Sequence, residues 1–536
     1  MATRRQQVIP GWLWPGLGAA ILISVVALSA FGALWLTAPQ THLLGFLHDP
    51  WLWHIVRFSF FQAALSALFS VLPAIPLARA LWRRRFPGRQ ILLRLCAMTL
   101  VLPVLVAVFG ILSVYGREGW LATLCALVGI HWSFSPYGLT GILLAHVFFN
   151  LPLATRLLLQ ALEQVPPEQR QLAAQLAMRG WWFFRYVEWP WMRRQVFPAA
   201  ALIFMLCFAS FATVLALGGG PGATTLELAI YQSLSYDFDP GKAALLSLIQ
   251  MGCCFGLILL SQQTTRVFSP GHSQQQQWRD PQDSLPARLW DITLITLALV
   301  LLLPPLLAVV ADGLKNHPLL VLRQATLWQA LWTSVRIACG AGLFSLTLTL
   351  MLLWTTRELR LRQQYRRAQT MELSGLLILA MPGIVLATGF FLLLNNTSGL
   401  PAQPDGIVIF TNALMAIPYT MKVLESPMYD IAARYNRLCH SLDIHGLNRL
   451  RWIELAALKR PCAQALAFAC VLSLGDFGVI ALFGNDDFRT LPFYLYQQIG
   501  AYRTGDGAVT ALVLLALCLL LFTLIENIAR PHAHAD

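Results

Sequence analysis

The sequence predicts an all-α membrane protein of about twelve transmembrane helices. They are arranged as two homologous six-helix domains, with both termini on the cytoplasmic side. Three observations carry that expectation: an apolar composition, an internal repeat of half the chain, and positive charge gathered on one side. Of 536 residues, 57% are hydrophobic and 12% charged, and the mean hydropathy is +0.62. A soluble chain carries about 25% charged residues, so this one belongs in a bilayer.

Spanning about 30 Å of hydrocarbon takes roughly 20 apolar residues in a helix, and such stretches come six to a half. In the first half they cover residues 14–36, 58–78, 96–115, 138–159, 198–217 and 243–262. The second half offers 289–310, 331–354, 373–394, 407–423, 463–483 and 508–528. The first stretch is too long for a signal-peptide core and lacks a small-residue cleavage site, so it is expected to remain as a helix.

The two sets of six are copies. Asn150-Leu151-Pro152 and Arg156 are echoed by Ala416-Ile417-Pro418 and Lys422, and Phe211 with Gly218 by Phe477 with Gly484, all at an offset of 266. Thr225-Leu226 and Tyr231-Gln232 answer to Thr490-Leu491 and Tyr496-Gln497 at 265. Upstream, Leu52-Trp53 and Phe69-Ser70 match Leu327-Trp328 and Phe344-Ser345 at 275, while Pro103 and Gly110 match Pro382 and Gly389 at 279. Drift of this size is what loop insertions produce. A period this long excludes a solenoid and implies two fused domains, residues 1–262 and 289–536, with function where they meet. Between them, residues 263–288 are polar and broken by prolines, the composition of a cytoplasmic linker.

Charge fixes the orientation. Lys and Arg accumulate on the cytoplasmic side of bacterial membrane proteins, and the segments assigned to that side hold 30 of the 38 basic residues. The net charge of +13 is therefore a mark of topology, with lipid as the partner and no nucleic acid expected. The ten cysteines form no C-x-x-C pair and sit mostly in apolar stretches, as small core residues do. No metal site, cofactor or catalytic constellation is visible.

The longest cytoplasmic loops carry the functional signal. In the first, Gln171 is followed by Ala177, Val187 and Pro190; in the second, Arg437 by Asp443, Ile453 and Ala456, at matching spacing. Both loops resemble the EAA loop of the inner-membrane subunits of type I ABC importers: Glu-Ala-Ala, three residues, Gly, nine residues, Ile, one residue, Leu-Pro. The Glu position holds Gln171 and Arg437, the Gly position Ala177 and Asp443, and the Ile position Val187 and Ile453. The final Pro is kept as Pro190 and replaced by Ala456. The resemblance implies that each loop forms a short helix docking on an ATPase subunit. The alternative is an ordinary interfacial helix anchored by Trp181, Trp182 and Trp189. No G-x-x-x-x-G-K-[ST] string occurs, so no ATPase site is expected in this chain. Gly218 to Gly222 reads as a helix-ending loop.

Asp476 stands in the eleventh stretch, where an ionised carboxylate costs about 2.5–3.5 kcal/mol on insertion scales unless paired. Its counterpart is Ser210. The pair are candidates for the translocation pathway, and a structural or gating hydrogen bond is the competing reading of Asp476. His146, Asn150 and Asn412 carry the same two readings, and Arg57 and Arg336 are expected to snorkel outward.

Two runs narrow the resemblance. Met381 to Phe391, and above all Asp476-Phe-Gly-Val-Ile-Ala-Leu-Phe-Gly-Asn-Asp-Asp-Phe-Arg-Thr-Leu-Pro-Phe-Tyr-Leu-Tyr-Gln-Gln498, resemble the fused permeases of the iron(III) and thiamine branch. That likeness implies a bacterial inner-membrane permease for thiamine or its phosphates, served by two copies of a separate ATPase and a periplasmic solute-binding protein. Iron(III) or another small solute is the alternative within the class. A proton-coupled secondary transporter, with Asp476 carrying the proton, is the alternative outside it.

Overall fold

In a computed structural model of the chain, the structure describes residues 13–38, 45, 48–84, 86–99, 101–264, 284–397, 399, 404–442, 444, 446–449, 453–485 and 487–528. All regular structure among them is helical. The first half comprises α1 (Trp14–Thr37), α2 (Pro50–Arg83), α3 (Arg89–Met98), α4 (Val104–Tyr115), α5 (Trp120–Leu127) and α6 (Leu139–Glu163). It continues with α7 (Pro167–Gln175), α8 (Gly180–Phe183), α9 (Trp189–Phe208), α10 (Phe211–Leu217), α11 (Leu226–Ser235) and α12 (Pro240–Thr264). The second half comprises α13 (Leu285–Lys315), α14 (Pro318–Leu322), α15 (Ala325–Leu361), α16 (Tyr365–Leu376), α17 (Gly383–Thr397) and α18 (Asp405–Ser441). It ends with α19 (Gly446–Arg449), α20 (Leu455–Leu474), α21 (Gly478–Phe483), α22 (Leu491–Gly500) and α23 (Thr504–Ile528). Most of the linker and both chain ends lie outside the described residues.

Among the described residues, ten helices are long and apolar enough to cross a membrane, and twelve spans result if each of two bent pairs counts as one. This agrees with the expected number. The bends fall in the fifth and ninth expected spans, at 56° after Phe208 and at 87° after Ala380. In the ninth, Pro382 precedes α17, and a proline cannot donate the backbone bond that would carry the helix through.

The chain divides into two compact units, one built of residues 1–43, 230–254 and 318–536, the other of 44–229 and 255–317. Each unit takes the first helix of one half and packs it on helices of the other half. In one, α1 lies on α15, α16 and α17; in the other, α13 lies on α2 and α4. The repeat and the packing are thus two different divisions of the chain.

Close backbone approach seats both exchanged helices. A Cβ on Gly389 of α17 would lie 2.8 Å from Ala30 Cβ of α1 and 2.9 Å from its carbonyl oxygen. A Cβ on Gly110 of α4 would collide with the Pro305 carbonyl of α13. Gly110 and Gly389 are repeat partners, and Ala30 and Pro305 stand at the 275-residue offset. Only glycine admits such contact, which is how membrane helices gain van der Waals energy without a hydrophobic drive. A second anchor also repeats, with new chemistry. The Gly16 amide donates to Thr355 Oγ1 at 3.0 Å, whereas at the equivalent position Asp291 is buried and pairs with Arg83 at 2.9 Å and Arg84 at 2.7 Å.

Candidate functional site: paired loops and broken helices

The first loop joins α6 to α9. Pro167 opens α7, where its missing N–H costs nothing. The helix is closed by Met178 N–H bonding Ala173 O at 2.9 Å and Ala177 N–H bonding Ala174 O at 3.1 Å. This pattern needs a left-handed residue at its turn, and Ala177 supplies it with φ 50. The importer pattern has its glycine at this position. Val187 is buried with Val165 and Ala173, and Met178, Phe183 and Trp191 pack around them, giving the loop a small core of its own. Gln171 and Ala177 face outward, as do the apolar Leu172 and Leu176. After α8 the chain makes one π turn, Phe184–Glu188. Pro190, half-buried in the first turn of α9, cannot donate to the turn before it.

The second loop closes α18 in the same way, with Ile444 N–H on Cys439 O at 2.9 Å, the 266-offset image of Met178 on Ala173. Arg437 lies in α18, and its side chain and Asp443 are outside the described residues. Ile453 is partly buried and Ala456 exposed in the first turn of α20.

One pair of residues in these loops escaped the sequence reading. Glu188 and Glu454, immediately after Val187 and Ile453, are fully buried carboxylates. Glu188 is paired with Arg79 of α2, and Glu454 with Arg357 of α15 at 2.7 Å and Arg449 of α19 at 2.8 Å. The signal was present in the repeat, which keeps an acid at both positions.

The helix that leaves each loop is interrupted farther on. In the first half α9 stops at Phe208 and α10 starts at Phe211. Ser210 stands in the gap, its hydroxyl donating to Cys207 O at 2.7 Å. The Phe211 amide instead donates to the buried carboxyl of Glu227 on α11, a group outside the spans that burial pushes up to about 8. In the second half, Asp476 stands between α20 and α21, and its carboxylate accepts from the amides of Gly478, Val479 and Ile480 and from the Asn412 side chain.

Around Asp476, Ser334, Ile337, Asn412, Ser473 and Thr490 pack closely and leave no room for a water molecule. The equivalent positions of the first half carry other polar groups. Gln62, in place of Ile337, donates to Ser59 O and Cys207 O at 3.2 and 2.9 Å. His146, in place of Asn412, shares a hydrogen with Ser66 at 2.8 Å, and Asn150 donates to His146 O at 2.9 Å. Two contacts are identical between the halves: Ser59 Oγ accepts from Leu226 N–H at 3.0 Å, and Ser334 Oγ from Leu491 N–H at 2.7 Å. Arg336 is held by Asp405, a partner its snorkelling assignment did not include. The Gly218–Gly222 run does end a helix, with Gly219 and Gly220 at positive φ.

A model of the binding-protein-dependent transport system inner membrane component family matches residues 70–264. With the apolar helices and the repeated loops, this defines the class: the chain is a multi-pass inner membrane component of such a transport system, and not a secondary transporter. Within that class it is 70% identical, over all 536 residues and the full length of both chains, to the thiamine transport system permease protein ThiP of Escherichia coli (strain K12). The ThiP of Haemophilus influenzae is 42% identical over 514 residues, 95% of each chain. That of Brucella suis biovar 1 is 43% identical over 492 residues, 91% of this chain and 90% of its own. The chain belongs to the family of thiamine transport system permease proteins.

Proposed function

We propose that this chain is the permease subunit through which thiamine, and also its phosphates, cross the bacterial inner membrane. A separate ATPase, present in two copies, drives it, and a periplasmic binding protein delivers the solute. The observation that carries the coupling is the repetition of one loop design, a helix closed by the same backbone bond with an outward apolar face, at equivalent places of the two halves. Two like loops suit two like ATPase copies. Gln171, Ala177, Val187 and Pro190, with Arg437, Asp443, Ile453 and Ala456, mark the docking segments, which lie on the cytoplasmic side.

Rigid-body motion of packed helices is the usual way such a push becomes an opening. Helix breaks beside Ser210 and Asp476 give each half a place where the segment beyond the loop can swing, and these residues are assigned to the pathway wall. The test is uptake of labelled thiamine by cells that lack their own permease, express the partner subunits and receive this chain. Restored uptake that stops when ATP is depleted is expected. Uptake no higher than in cells with an empty vector removes the assignment.

A further inference from the structure

Glu188 and Glu454 are repeat partners, and each is held by an arginine near the end of the second spanning helix of its half, Arg79 in α2 and Arg357 in α15. The second cation at each glutamate is unmatched. Arg170 of α7 interacts electrostatically with Glu188 and corresponds to Asn436, while Arg449, at 2.8 Å from Glu454, corresponds to Phe183. Tryptophans complete both arrangements, with Arg170 over Trp82 at 4.9 Å and Arg357 over Trp354 at 4.1 Å. Inheritance from one ancestral domain would give like partners at like positions. Here a buried glutamate between two arginines takes its second arginine from unlike positions, which points to a requirement acting on both halves.

The location says what that requirement is. Each glutamate ends its loop and begins the fifth span, and Arg79 and Arg357 sit near the loop-side ends of α2 and α15. Arg79 also donates to Gly180 O at 3.2 Å and lies over the Phe184 ring at 4.9 Å, so one side chain grips the loop at three points. We propose that Glu188 and Glu454 are positioning residues that clamp each loop to the second helix of its half, so that a displacement of the loop moves two spanning helices as one body. The proposal rests on the reading of the loops as ATPase-docking segments.

The test uses the whole complex, permease with ATPase and binding protein, in proteoliposomes. With E188Q and E454Q together, thiamine taken up per ATP hydrolysed should fall by about tenfold, the effect of about 1.4 kcal/mol of lost coupling. Exchanging the charges, Arg79→Glu with Glu188→Arg, should recover much of the loss seen with Glu188→Arg alone. A purely structural role would lower the yield of complex and leave uptake per ATP unchanged, which overturns the clamp; so would failure of the exchanged pair to recover coupling. Should these variants not assemble, spin labels at the exposed positions Arg185 and Leu72 of the otherwise unaltered chain decide the matter. Their separation should stay constant through the ATP cycle, and a changing separation overturns the clamp. Thiamine uptake by the unaltered complex that continues without ATP hydrolysis would instead remove the importer reading and the clamp with it.

Discussion

The break between α9 and α10 is held by Glu227, which reaches back from α11, whereas the break between α20 and α21 is held by Asp476, which stands inside it. The positions do not correspond: Ser210 is the partner of Asp476, and Pro492 stands at the 265-residue offset from Glu227. Both halves bring a carboxylate to the exposed amides of an interrupted helix, because a helix start in an apolar setting leaves donors that water cannot satisfy. The route differs, and with it the surroundings. Gln62 and His146 stand beside the first break, and Ile337 and Asn412 beside the second. The fold therefore constrains what each break requires more tightly than which residue supplies it.

The sharpest way to break this comparison is to remove the carboxylate from one half and the serine from the other. Asp476→Ala strips the acceptor from three backbone amides and from Asn412, and should cost about 2–3 kcal/mol by the usual scale of lost caps and orphaned donors. Ser210→Ala removes a bond from a hydroxyl to its own helix and should cost less than about 1 kcal/mol. Denaturation of the purified chain in detergent micelles measures both. Equal costs would mean that Asp476 does not hold its break.

The sequence made the spans legible because a bilayer imposes one length and one polarity on each, and the repeat made their pairing legible. Neither could show the bend after Phe208, since two residues of interruption vanish in a hydropathy window. Nor does a repeat say which half a helix packs against. The exchange of α1 and α13 left only an indirect mark, the glycines 110 and 389 that the repeat retains at the crossing. At the loops, spacing singled out Ala177 and Val187, but Glu188 and Glu454 passed as ordinary charges. Much of their meaning lies in Arg79 and Arg357, more than 90 residues away in sequence. Unequal polarity at Ser210 and Asp476 was readable; that Glu227 compensates for it was not, because contact between α10 and α11 is tertiary.

The first break also binds a proton. Burial pushes the Glu227 carboxyl up to about 8, so in the folded chain it binds its proton more tightly than in the unfolded one, whose value is near 4.5. Between these values the folded state holds more protons, so stability is greatest at the acid end and falls as pH rises towards 8. The slope from this group is at most about 1.4 kcal/mol per pH unit. Glu227→Gln keeps the shape and removes the titration, so its stability should be flatter from pH 5 to 8 than that of the unaltered chain. Denaturation curves across that range measure the slope, and parallel pH profiles would show that Glu227 does not carry its proton at neutral pH.

The smallest expected effect lies in the loops. Both close their first helix with the same backbone bond, yet Ala177 does so at φ 50, where an L side chain crowds the following carbonyl. Glycine escapes that crowding but loses more freedom on folding, and the first effect is the larger, so Ala177→Gly should stabilise the chain by about 0.5–1 kcal/mol. If the loop is a lever, relieving strain at its bend without touching Glu188 leaves transmission through the clamp intact, and uptake per ATP should not change. A gain in stability with a loss of coupling would place the lever's stiffness in the strained turn itself, and would make the two loops, one with alanine and one with aspartate there, mechanically unequal.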